Sequence, residues 1–113
     1  MEIEIRNHLC DIRAAAKFIL DSTAETTFEQ YEEDQLLRSA VERQFEIIGE
    51  ATRRLANDDQ STVEKITGYQ TIIGLRNRIA HEYDNIANQT LWNIIQNNLP
   101  TLLNEVTTLL EQP

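Results

Sequence analysis

Glycine and proline are scarce in this chain, three and two in 113 residues. So few breakers leave little room for the tight turns of a sandwich or barrel and favour long helices. Aromatic residues make up only 6%, so a core has to be built from aliphatic side chains. No apolar run approaches the ~18 residues that a membrane span requires. The first ten residues, MEIEIRNHLC, alternate charge with apolar side chains and lack a signal-peptide core. A cytoplasmic protein is expected. The single cysteine, Cys10, has no second cysteine to pair with, which agrees with a reducing compartment. It reads as a filler on a helix face. The length suits one domain spanning 1–113.

Positive charge is also short. Ten Lys and Arg face nineteen Asp and Glu, a net charge of −9. Such a chain is ill suited to coating nucleic acid, because that needs clustered cations against phosphates. The few cations are unevenly placed. Residues 51–81 carry Arg53, Arg54, Lys65, Arg76 and Arg78 against three acids, whereas the remainder carries five cations and sixteen acids. A small anion site inside an acidic shell is compatible with that distribution, and so is ordinary surface scatter.

Apolar periodicity predicts four helices. The first spans about 3–21, with Ile5, Leu9, Ile12, Ala16 and Ile19 on one stripe. The second spans about 34–56, with Asp34 as N-cap and Leu37, Val41, Phe45, Ile48 and Leu55 facing inward. Phe28 and Tyr31 precede it in a short turn at the bundle end. The third spans about 69–82 on Ile72, Leu75 and Ile79. The fourth spans about 89–111 behind an Asn88 cap, with a kink expected at Pro100. Four amphipathic helices joined by short connections describe an all-α, up-down bundle. Gly49 and Gly74 fall inside helical patterns, where each costs about 1 kcal/mol relative to Ala. Close approach of another helix, or else of a ligand, is the expected compensation, with helix packing the first of the two.

Most chemistries are excluded by what the helices carry. A di-metal bundle needs Glu-x-x-His on two helices, but His81 follows Arg78 at that spacing and His8 follows Ile5. Two histidines and one cysteine make a structural zinc site a poor fit. No Gly-rich phosphate loop and no G-x-S-x-G element occur. Arg76 and His81 remain. An imidazole moves protons near neutral pH, and a guanidinium stabilises charge on phosphate oxygens. The pair can in principle cleave RNA without a metal, using the ribose 2′-OH that DNA lacks. Five residues on a regular helix turn through about 500°, which leaves the two about 140° apart and about 7.5 Å along the axis. A helix end, a bent arginine or a second subunit has to bring them together. Equally, Arg76 can pair with an acid and His81 can cap a helix end.

The wording of three segments goes further. GLRNRIAHEYDNI at 74–86 resembles the R-x4-H-x-Y signature of HepT-like proteins in the HEPN superfamily. FEIIGEATRRL at 45–55 is similar to that family's second helix, and LWNIIQNNLPTLL at 91–103 to its last. The resemblance implies a four- or five-helix bundle that forms a homodimer. It implies a metal-independent endoribonuclease with no cofactor, the toxin of a type VII toxin–antitoxin pair. The partner it implies is a nucleotidyltransferase antitoxin of the MntA type, which transfers AMP to the motif tyrosine. Carried onto this chain, Arg76 and His81 become the catalytic pair, Asn77 a site-supporting residue and Tyr83 the AMP acceptor. Glu50 is expected either near the motif helix, paired with Arg76 or Arg78, or in a structural ion pair. One departure stands out: Ile66-Thr67-Gly68-Tyr69 replaces the family's Pro-Trp element, with Tyr69 as the substitute packing ring. The alternative reading is a non-catalytic HEPN module that binds a nucleotidyltransferase or a nucleotide.

Overall fold

In the computed structural model the described residues are 1–81 and 85–112, with the backbone alone for 80, 81 and 85–87. Every regular element among them is helical: α1 (Ile3–Thr23), α2 (Phe28–Glu33), α3 (Gln35–Asp58), α4 (Gln60–Val63), α5 (Tyr69–Ile73), α6 (Leu75–His81), α7 (Asn85–Asn97) and α8 (Leu99–Glu111). The four expected helices correspond to α1, α3, α5 with α6, and α7 with α8. None of the described helices is long and apolar enough to cross a membrane.

The predicted stripe of α1 is buried throughout: Ile5, Leu9, Ile12, Ala16 and Ile19. So are Val41, Phe45, Ile48 and Leu55 of α3, while Leu37 is half-buried against them. Polar contacts fix the direction of packing. His8, near the start of α1, bonds Asp58, at the end of α3, with Nε2 2.7 Å from the carboxylate. Arg6 donates to the carbonyl of Leu110 near the end of α8 at 3.1 Å. Both α3 and α8 therefore run antiparallel to α1. Thr23 and Thr52 are buried, and each hydroxyl donates to the carbonyl four residues back.

Asp34 caps α3 as expected, accepting from the Leu37 amide. The segment before it is a helix, not merely a turn. Thr27 and Gln30 form a reciprocal capping box at the start of α2. Phe28 and Tyr31 pack against Trp92, at centroid distances of 6.1 and 5.3 Å. Burial, followed by the charge of Glu42, pushes the Tyr31 hydroxyl well above the ordinary phenol range.

Three boundaries differ from expectation. The third helix is broken at Gly74, the C-cap of α5. Its expected last residue, Glu82, lies outside the described residues. Asn88 does not cap the fourth helix, because α7 already begins at Asn85. The break in that helix falls at Asn98, two residues before Pro100, so the proline occupies the first turn of α8. The cause is local. Proline has no N–H for the Gln96 carbonyl, and its ring crowds that carbonyl, whereas the first turn of a new helix needs no such bond.

Candidate functional site

The site is organised by the fit of α5 and α6 on α3. Gly49 of α3 makes that fit possible. A β-carbon there would come 3.1 Å from the Ile72 carbonyl oxygen of α5 and 3.9 Å from the Arg76 amide of α6. The close approach expected of Gly49 is present, and it fixes the backbone from which the motif arginine projects. Gly74 differs. It ends α5 with its N–H bonded to the carbonyls of Gln70 and Ile72, and a β-carbon would meet only ordinary contacts.

The entry to α5 is built without the Pro-Trp element. Gly68 takes a left-handed backbone, φ 70°, where other residues are strained. The Thr67 amide and hydroxyl donate to Glu105 of α8 at 3.0 and 2.8 Å. Tyr69 packs half-buried against the core, and its hydroxyl accepts from Gln60 at 3.1 Å. The substitution of one packing ring for another thus keeps α5 seated.

On α6, Arg76, Asn77 and Arg78 are all exposed. Arg76 lines a cleft of about 280 Å³ against α1 and α3, together with Asp11, Arg43, Glu46, Glu50 and Arg54. None of the five ion pairs among the described residues uses Arg76. Glu50 does not neutralise it. Its carboxylate accepts from Arg53 at 2.6 Å and from Arg54 at 3.2 Å, within its own helix. Those bonds, the one from Arg53 foremost, hold the Glu50 carboxyl below the usual carboxylate range. Of the two expectations for Glu50, the structural ion pair is the one observed.

His81 is the last described position of α6, and its side chain lies outside the description. Tyr83 lies outside the described residues altogether. Because α6 is helical from Leu75 to His81, positions 76 and 81 do not share a face. The geometric difficulty seen in the sequence therefore persists within one chain. Sequence reasoning missed Arg43 and Asp11 beside Arg76, because they come from distant helices. The uneven placement of cations did point to Arg54.

Fold and site together define an all-α bundle with an arginine-bearing helix laid across an acidic body. The chain belongs to the HepT-like ribonuclease family: residues 12–109 match the family described as "Ribonuclease HepT-like". A protein of Methanocaldococcus jannaschii named as an RNase is 30% identical over 103 residues, covering 91% of this chain and 94% of its own. One of Thermococcus cleftensis, named as a ribonuclease HepT, is 30% identical over 97 residues, with 86% and 87% covered. One of Caldanaerobacter subterraneus, again named as an RNase, is 28% identical over 107 residues, 95% of each chain. No solved structure gives a significant match.

Proposed function

We propose that this protein is a metal-independent endoribonuclease toxin whose reaction depends on Arg76 and His81. The observation that carries the reading is the state of Arg76. It is exposed in a cleft and absent from the ion pairs of the described residues, even with three carboxylates lining that cleft. A merely structural arginine would be expected to pair with one of them.

The chemistry follows from the two side-chain types. The ribose 2′-oxygen attacks the adjacent phosphorus and loses its proton. The bond to the 5′-oxygen breaks, and that oxygen takes up a proton. A histidine serves one of these transfers. A guanidinium beside the phosphorane stabilises its developing charge. The products are a 2′,3′-cyclic phosphate and a 5′-hydroxyl. Asn77 supports the site from the neighbouring helical position. Since α6 keeps positions 76 and 81 about 140° apart, we place the working site in a homodimer, with a second copy helping to complete the cleft.

Tyr83 is the proposed control point. A nucleotidyltransferase antitoxin of the MntA type would transfer AMP from ATP to its hydroxyl and release pyrophosphate. The added phosphate and nucleoside would occupy the approach to His81, two residues away. The net charge of −9 favours, as a second reading, a non-catalytic module that binds such a partner or a nucleotide.

Cleavage separates the two. The enzyme reading expects RNA cleavage in EDTA that disappears in His81→Ala and Arg76→Ala while the far-ultraviolet spectrum stays helical. Equal cleavage by wild type and His81→Ala would reveal a contaminant and sink the reading. For Tyr83, the protein is weighed after incubation with the partner and ATP. A gain in AMP units absent from Tyr83→Phe is expected; a gain that persists moves the acceptor elsewhere.

A further inference from the structure

Two clefts flank α6, and its two exposed arginines go one to each. Arg76 lines the cleft on α1 and α3. Arg78, two residues on and so about 200° round the helix, lines a second cleft of about 370 Å³ between α3, α5 and the α7–α8 junction. Helical register sorts the motif between them. Position 81 follows Arg78 by three residues, the adjacent station on one face, but follows Arg76 by five. The second cleft therefore opens on the side of α6 nearer to the motif histidine's position.

This cleft is built like a small-ligand site. Its lining is largely apolar: Ile72 and Ile94 are half-buried and offer surface to a ligand, whereas Phe45 and Ile48 are fully buried. Its rim is polar and exposed: Arg78, Asn98, Thr71 and Thr101. Its volume lies in the ~300–1,000 Å³ range of small-molecule clefts, too small for an RNA duplex. One wall is open at Gly68, where a β-carbon would find no atom within 4 Å. The backbone of Asn98 is bonded to Ile94 and Leu102, but its side-chain amide, a donor and an acceptor together, enters none of the hydrogen bonds found among the described residues. The break in the helix ahead of Pro100 is what presents Asn98 at the rim.

We propose that this second cleft is a base-binding subsite for single-stranded RNA. It takes one nucleobase beside the scissile bond, Asn98 reads the edge of that base, and Arg78 holds the phosphate of the same nucleotide. Unstacked bases offer apolar faces and a polar edge, which matches an apolar lining with amide and hydroxyl groups at the rim. Charge fits too, because an arginine stands where the phosphate would leave the cleft. The position beside the scissile bond rests on the ribonuclease reading; the binding of a nucleotide does not.

Two measurements test the proposal separately from that reading. The first is kcat/KM on short RNAs that vary one base on each side of the cleavage point. Thr101→Trp, at an exposed position, fills the cleft and should raise KM tenfold or more with the melting temperature unchanged. Asn98→Ala should lower kcat/KM on the preferred base about tenfold, to the level of the others. Wild-type KM and base preference in both variants would overturn the subsite. The second is titration of the isotope-labelled protein with each of the four nucleoside 5′-monophosphates. Amide shifts at Gly68, Thr71, Asn98 and Thr101, lost in Thr101→Trp, are expected. Those shifts in a protein that cleaves no RNA would keep the cleft and reject the ribonuclease reading; cleavage without them would do the reverse. If Thr101→Trp only dissociates a dimer and leaves base preference intact, the cleft is a subunit contact and the subsite is overturned.

Discussion

Glu42 and Glu50 sit two turns apart on α3 and are held in opposite ways. Burial raises the Glu42 carboxyl above its ordinary range, against the pull of Arg38. Its ionised form therefore disfavours the fold, and stability tied to this group is fully present only at low pH and is lost as pH rises through the raised value. Replacing Glu42 with Gln should raise the melting temperature at pH 7, and the gain should vanish near pH 4. An unchanged melting temperature at pH 7 would contradict this. Glu50 and Asp59 run the other way. Arg53 holds Glu50 low, and the Thr62 hydroxyl holds Asp59 low. Their contributions are present above the ordinary carboxylate range and fall away as pH drops through the lowered values. Glu50→Gln and Asp59→Asn together should flatten the acid side of a melting-temperature profile between about pH 5 and 3. The residue scale also bears on Arg76. Lysine keeps the charge but loses the planar fork, so Arg76→Lys should cut kcat on RNA at least tenfold with KM little changed. Wild-type kcat in that variant would reduce Arg76 to a point charge.

At the scale of elements, the contact between α3 and α5 carries the site. Leu9, Phe45 and Ile48 would fill a core in any bundle; the position of α6 depends on one missing β-carbon at Gly49. Gly49→Val should push α5 outward, since its first carbon already falls 3.1 Å from a backbone oxygen. Overpacking of this kind costs about 1–3 kcal/mol. A lower melting temperature and a loss of RNA cleavage are expected together. Full stability with full activity would mean that α5 moves without consequence. By contrast, Asp34→Ala removes a cap distant from α6 and should cost about 1 kcal/mol with cleavage retained. The same scale shows what periodicity overlooks. Ile72, Leu75 and Ile79 continue one apolar pattern through Gly74, although the backbone turns there. Leu91 to Leu109 likewise continue through Asn98. A stripe records which side of the chain is wet, and two short helices in succession can keep it as well as one long helix.

For the whole molecule, the main outlines were legible early because they rest on local rules. Scarce breakers and a four-three spacing of aliphatic residues determine helices, and helices with one apolar face have to pack on each other. The α1 and α3 stripes and the Asp34 cap could be read from neighbours along the chain. The segment from Arg76 to Tyr83 could be singled out in the same way, through its likeness to a known motif. By contrast, the same expectation of close approach held at Gly49 and failed at Gly74, because only Gly49 faces another helix. Other features depend on residues far apart in sequence. Glu50 turned to Arg53 and Arg54 because they lie one turn away on its own helix, whereas Arg76 is reached only across a packed interface. Asp11 and Arg43 join Arg76, and Asn98 and Thr101 join Arg78, only because α1, α3 and α8 converge on α6. Helical pitch sends Arg76 and Arg78 to opposite sides, but only packing decides what waits on each side: a charged cleft on one, an apolar cavity with a polar rim on the other.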